Sequence, residues 1–162
     1  MTVSPGTLEL TRVPVATASM LIRRPISEVF EAFVDPEITS KFWFTKGSGR
    51  LEAGITVHWE WEMYDISVPV EVKAIEPNKR ILIEWPGVSE PATVEWQFTP
   101  YGDDLTWVTI TNSGFTGTGD EVVSQALDST GGFTFTLAGL KAWLEHGVEL
   151  NLVRDHTPPT GE

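Results

Sequence analysis

The sequence predicts an α+β fold in which a curved antiparallel sheet of about seven strands is closed by one long C-terminal helix. Three observations carry this. Between Gly54 and Phe98 the large apolar residues keep to one parity: Ile55, Val57, Trp59, Trp61 and Met63 alternate with His58, Glu60 and Glu62, and the pattern returns in Ile81, Ile83, Trp85 and in Val94, Trp96, Phe98. Successive strand side chains point to opposite faces, so one face of the sheet is aromatic and excluded from water. The turns between these segments are too short for parallel crossovers. Finally, Phe133, Leu137, Leu140, Leu144 and Val148 follow at steps of four, three, four and four, an apolar helical stripe able to cover that face.

The elements follow in order. Met1 to Pro14 reads as a loose arm, with neither the basic start nor the apolar run of a signal peptide. Val15 to Ile22 is a first strand, ended by Arg23-Arg24-Pro25. Pro25 suits the first position of a helix, and Ile26, Val29, Phe30 and Phe33 continue at helical spacing. Asp35-Pro36 stops that helix, a short second one runs from Glu37 to about Phe42, and Lys46-Gly-Ser-Gly49 is a turn. Strands then succeed one another through Ile66–Ile75, Arg80–Trp85, Val94–Phe98 and Leu105–Thr111. Pro69, inside a strand, calls for an edge or a bulge.

Thr118-Gly-Asp-Glu121 is a capping box that opens helical sequence, and Gly131-Gly132 either breaks this helix or lets it approach the sheet closely. The order is strand, two helices, six antiparallel strands and a long helix, with helices segregated from strands. A long helix on a strongly bent sheet is the helix-grip arrangement. Residues 15–150 form one domain and residues 151–162 a C-terminal tail.

Composition narrows the function. There is no cysteine, hence no disulfide and no thiolate zinc site, which fits a cytoplasmic protein. No stretch approaches the length of a membrane span. Twenty-three acidic residues against 11 basic ones leave a net charge of −12, a field that repels phosphate backbones and anionic lipid surfaces. Neither nucleic acid nor membrane is expected as a partner.

Little in the chain reads as catalysis. His58, Glu60 and Glu62 share one strand face about 7 Å apart, and the simplest account is a solvated outer face. His146 complements the dipole at the end of the last helix, and His156 lies in the tail. Gly114-Phe-Thr-Gly117-Thr-Gly119 lacks both the spacing and the surrounding parallel unit of a phosphate loop. No nucleophile has a readable base, and no metal or cofactor is expected. The aromatic face remains. A solid core and an aromatic-lined pocket both satisfy it, since each large ring buries roughly 150–250 Å². Asn112 adds a polar group if its strand faces inward with Val108 and Ile110; Trp107 and Thr109 favour the opposite parity.

From about Val15 to Gly147 the chain resembles the START-like superfamily of polyketide cyclases, dehydrases and lipid-transport proteins, in the branch named for the activator of the heat-shock-protein-90 ATPase. The resemblance rests on Pro25 with Val29-Phe30, Phe42-Trp43, Gly54, Glu76-Pro77 before Ile81 and Trp85, and Val94 through Phe98. It continues in Thr106 to Gly114-Phe115, Gly132-Phe133, Leu137, Leu140-Lys141 and Leu144 to Gly147. It implies a helix-grip fold with a hydrophobic cavity between sheet and last helix. The residues lining it would be Trp43, Val57, Trp59, Trp61, Ile83, Trp85, Trp96, Phe98, Phe133, Leu137 and Leu140, with Asn112 as the polar member. The family fixes no universal catalytic residue, so none is assigned.

The expected function is therefore binding of a small apolar or aromatic ligand. A chaperone- or stress-related interaction module is the second expectation, although the eukaryotic co-chaperone carries a separate N-terminal chaperone-binding domain for which 162 residues leave no room. A cyclase- or dehydratase-like enzyme is the third. A homodimer is compatible with all of them.

Overall fold

The computed structural model describes residues 8–159; residues 1–7 of the expected arm and 160–162 of the expected tail lie outside the described residues. Strand β1 (Ala16–Ile22) leads into helix α1 (Ile26–Val34) and the single turn α2 (Pro36–Thr39). Six strands follow: β2 (Lys46–Gly47), β3 (Thr56–Trp61), β4 (Ile66–Glu76), β5 (Arg80–Trp85), β6 (Ala92–Pro100) and β7 (Thr106–Ser113). The long helix α3 (Gly119–His146) and a short α4 (Leu152–Asp155) complete the chain. All strands belong to one curved antiparallel sheet in the order β1-β7-β6-β5-β4-β3-β2. This is the α+β helix-grip fold expected from the sequence.

Local chemistry explains the departures from expectation. Asp35 ends α1 and at once caps α2, its carboxylate accepting the Glu37 N–H at 3.0 Å with Pro36 in the first helical position. Thr39 then turns inward, donating to the Ala32 carbonyl at 2.6 Å, and α2 stops there rather than reaching Phe42. Phe42, Trp43 and Phe44 are carried by the following turn and are all buried. The segment read as a turn at Lys46 supplies the shortest strand, paired as Lys46 with Glu60 and Gly47 with Trp59. The tryptophan strand ends at Trp61, where Glu62–Tyr64 wind into a 3-10 turn.

Pro69 lies opposite His58 on β3, while β5 pairs with β4 only from Glu71 onward. Proline therefore occupies the overhang of β4, where no neighbouring strand needs its missing N–H. A register shift between Val72 and Ala74 is a bulge. It explains why the buried parity changes from Val70 and Val72 to Ile75, which faces Ile81.

The inner face is packed. Ile81, Ile83, Val94, Ile110, Leu137 and Leu140 are fully buried, and each such side chain contributes roughly 1.5–3 kcal/mol. The ambiguous parity of β7 resolves in favour of Val108, Ile110 and Asn112 facing in; Trp107 is 39% exposed on the outer face. His58 lies exposed and Glu60 half-exposed on that outer side. Among the described residues no three His, Asp or Glu side chains are grouped closely enough to hold a metal ion, and no helix is long and apolar enough to cross a membrane.

Helix α3 is continuous through Gly131 and Gly132. Its N-terminus is closed by the expected box: the Thr118 hydroxyl accepts the Glu121 N–H at 3.2 Å, and Glu121 accepts the Thr118 N–H at 2.7 Å. The close approach occurs instead at Gly139, where a Cβ would stand 3.1 Å from Phe42. The far end grips the β1 edge: Lys141 donates to the Leu21 carbonyl at 3.0 Å and to Glu145 at 2.7 Å, and Glu145 accepts the Arg23 N–H at 2.7 Å. Burial raises the Glu145 pKa, but the Arg23 N–H and Lys141 together outweigh it and hold the carboxyl below its ordinary range. Beyond α3, the Tyr64 hydroxyl donates to the Val153 carbonyl, and His156 packs on Phe135 with ring centroids 5.3 Å apart.

Candidate ligand-binding site

Trp43 organises the interior. It enters from the turn after α2, and its ring centroid lies 5.0 Å from Trp59, 5.7 Å from Trp61, 6.2 Å from Trp85, 6.0 Å from Trp96 and 5.7 Å from Phe133. Phe44 stacks on Trp59 at 5.0 Å. Two rings from a short turn thus join the packed core between the sheet and α3. Phe98 is taken up by α1, against Phe30 at 5.2 Å and Phe33 at 6.1 Å. Here the aromatic face is solid.

Toward the N-terminal half of α3 the packing opens. A cavity of about 350 Å³ lies between that half of the helix, the end of β7 and the loop after β5, within the size range of small-molecule sites. Trp43, Trp85 and Phe133 form its inner wall, with Trp85 and Phe133 stacked at 6.0 Å and 20° between planes. Pro86, Gly87 and Val88 supply one rim, Phe115 another. Gly132 leaves its side of the helix bare, with no atom within 4 Å of where a Cβ would stand.

The polar part of the wall is organised by Asn112, only 3% exposed. Its amide donates to the Thr93 carbonyl at 2.9 Å, and its oxygen accepts the Ser129 hydroxyl at 2.7 Å. Gln125, Asp128 and Ser129 stand on the same stretch of α3 as Gly132, at the spacing of one helical face. Gln125 donates to the carbonyls of Thr116 and Glu121, at 2.9 and 3.1 Å. Asp128 is the one charged side chain in the lining.

Of the residues expected to line a cavity, Trp43, Trp85, Asn112 and Phe133 meet at this one. Val57, Trp59, Trp61, Ile83, Trp96, Phe98, Leu137 and Leu140 belong to the packed interior. Trp96 is one ring deeper, 1% exposed, touching Trp43 and Phe133, with its indole N–H unpartnered. Sequence reasoning missed Gln125, Asp128, Ser129 and Gly132. Their signal was present as a polar, glycine-ended helical face in the half of the helix that lacks the apolar stripe.

Comparisons with known proteins follow the same outline. Residues 23–145 match the family model described as Activator of Hsp90 ATPase homolog 1-like protein. No curated protein matches significantly. Among solved structures, the chain is similar to SSP2350 from Staphylococcus saprophyticus, with 33% identity, a TM-score of 0.71, and coverage of 85% of this chain and 96% of that one. It shares its fold with DynU16, a putative protein in the dynemicin biosynthetic locus, at 24% identity and TM-score 0.71, covering 83% of this chain but 48% of DynU16. The Aha1 dimer from Colwellia psychrerythraea has the same fold at 19% identity and TM-score 0.68, covering 83% of this chain and 98% of that one. With the family model spanning most of the sheet and the long helix, the chain belongs to the Activator of Hsp90 ATPase homolog 1-like family, within the START-like superfamily.

Proposed function

We propose that this protein binds a small apolar or aromatic molecule in the cavity between the N-terminal half of α3 and the sheet. The observation that carries the reading is the contrast within one aromatic face. Along the C-terminal half of α3 Leu137 and Leu140 are fully buried, whereas the other half keeps about 350 Å³ open beside a stacked Trp85–Phe133 pair. Ring faces supply affinity and a few polar groups fix orientation, the usual division of work in such sites. In this reading Trp43, Trp85, Asn112 and Phe133 touch the ligand, no cofactor takes part, and the protein works in the cytoplasm. Native mass spectrometry of protein purified from its own host tests it, followed by calorimetry with a panel of aromatic ligands. A retained mass or saturable binding is expected. No retained mass together with no binding by any ligand sinks the proposal.

The family description favours one further reading, contact with an Hsp90-type chaperone, which the acidic surface would make through a basic patch of the partner. Co-purification with the chaperone and a changed ATPase rate are its expected signs; neither appearing would dismiss it. Following the dimer described for the Colwellia protein, light scattering decides between monomer and homodimer.

A further inference from the structure

The hydrogen-bonding directions in the cavity wall can be worked out from its fixed partners. The Thr93 carbonyl can only accept, so the Asn112 nitrogen faces it and the Asn112 oxygen faces Ser129. Ser129 therefore spends its single hydrogen on Asn112, and its oxygen is left as an acceptor. Both Gln125 amide hydrogens go to carbonyls, those of Thr116 and Glu121, which leaves its side-chain oxygen free. Asp128 completes the helical face as a carboxylate, again an acceptor. The donors left in the wall side chains, the second Asn112 hydrogen and the indole N–H groups of Trp43 and Trp85, are neutral. No Lys, Arg or His lines the cavity.

We infer that the cavity selects neutral or cationic aromatic molecules bearing a hydrogen-bond donor, an amine or a hydroxyl, and rejects carboxylates and phosphates. This rests on the ligand-binding reading above and adds the polarity of the ligand and its orientation. The ring lies against Trp85 and Phe133, and the donor end meets Gln125, Asp128 and Ser129 on α3. A carboxylate placed there would face acceptors and a like charge, without a cation to offset its desolvation. An ammonium would donate a charge-assisted hydrogen bond to the Asp128 carboxylate.

The test uses three probes of one shape, 2-naphthylmethylamine, 2-naphthalenemethanol and 2-naphthoate, titrated calorimetrically into the full chain at neutral pH and low salt. The amine is expected to bind tightest and the carboxylate weakest, with roughly a tenfold gap between them. Added salt should narrow the gap, because Asp128 is exposed to solvent. Asp128→Asn should bring the amine down to the level of the alcohol. Asp103→Asn, in the exposed loop between β6 and β7, should change neither, which separates the local carboxylate from the overall negative field. Carboxylate binding as tight as the amine's, or an amine preference that survives Asp128→Asn, overturns the inference while leaving a ligand-binding cavity. Silence of all three probes counts against the cavity itself.

Discussion

Replacing Gly132 separates the cavity from the fold. This glycine sits inside the 28-residue helix α3, and a Cβ there meets no atom within 4 Å. Glycine in a helix interior is less favourable than alanine by about 1 kcal/mol, and leucine is nearly as good as alanine. Gly132→Ala should therefore raise the melting temperature by about 2–4 °C, the shift that such a free energy gives in a domain of this size. Gly132→Leu should keep most of that gain. Its isobutyl group, however, would run back toward the preceding turn, over Asp128 and Ser129, and so into the cavity. Overfilling a packed site typically costs 1–3 kcal/mol, so a bound ligand should lose roughly tenfold or more in affinity. Gly131→Leu is the control: it too meets open space but does not line the cavity, so stability should rise with binding intact. Calorimetry with 2-naphthalenemethanol and thermal unfolding of all variants provide the readings. An unchanged affinity in Gly132→Leu would show that the ligand sits elsewhere, and a lowered melting temperature in Gly132→Ala would refute the open-space geometry.

Gly139 should behave in the opposite way, because Phe42 already stands 3.1 Å from a Cβ there; Gly139→Val should cost about 1–3 kcal/mol in urea unfolding, and a neutral result would contradict the close approach. Leu137→Ala removes a fully buried side chain beneath α3 and should cost about 2–5 kcal/mol by the same assay, with a loss below 1 kcal/mol speaking against a packed interior. The third concerns acid. Because the folded Glu145 carboxyl is held below the ordinary carboxylate value it has in the unfolded chain, its stabilisation is present above that ordinary value and is lost as pH falls through the folded value. Glu145→Gln should thus cost about 1 kcal/mol at pH 7, with the difference from wild type shrinking in urea titrations toward pH 3; a constant difference would remove the ion pair as its cause.

The sheet and its covering helix were legible because period-two and period-3.6 patterns report burial directly, as in Val94, Trp96 and Phe98 or in Leu137 and Leu140. Sites where two patterns competed were less so. In β7, Trp107 suggested the wrong face because an exposed tryptophan breaks the rule that large rings are buried. The inward set is marked instead by Val108 and Ile110 flanking Asn112. The bulge after Val72 was invisible, since one inserted residue looks like a lapse of alternation. The cavity was half legible. Trp85 and Phe133 could be named as inward rings, but whether rings fill or line a space depends on which others reach it. Trp43 reaches Trp59, Trp61, Trp85 and Trp96 from a turn whose path no periodicity encodes. The polar face from Gln125 to Gly132 was in plain view, though a helix segment without an apolar stripe normally reads as facing solvent.

The clustering around Trp43 also governs how the protein responds to light. Five of its seven tryptophans, Trp43, Trp59, Trp61, Trp85 and Trp96, form one connected group with ring centroids between 5.0 and 6.3 Å apart. At such separations indoles exchange excitation faster than they emit, so the group behaves as a single antenna. An absorbing ligand resting on Trp85 is therefore expected to quench its neighbours Trp43 and Trp59 along with Trp85 itself, which fluorescence titration would check. Trp107, on the outer face, and Trp143, beneath the Lys41 ammonium at 5.6 Å, stand outside the group. Their emission is expected to respond less to such a ligand.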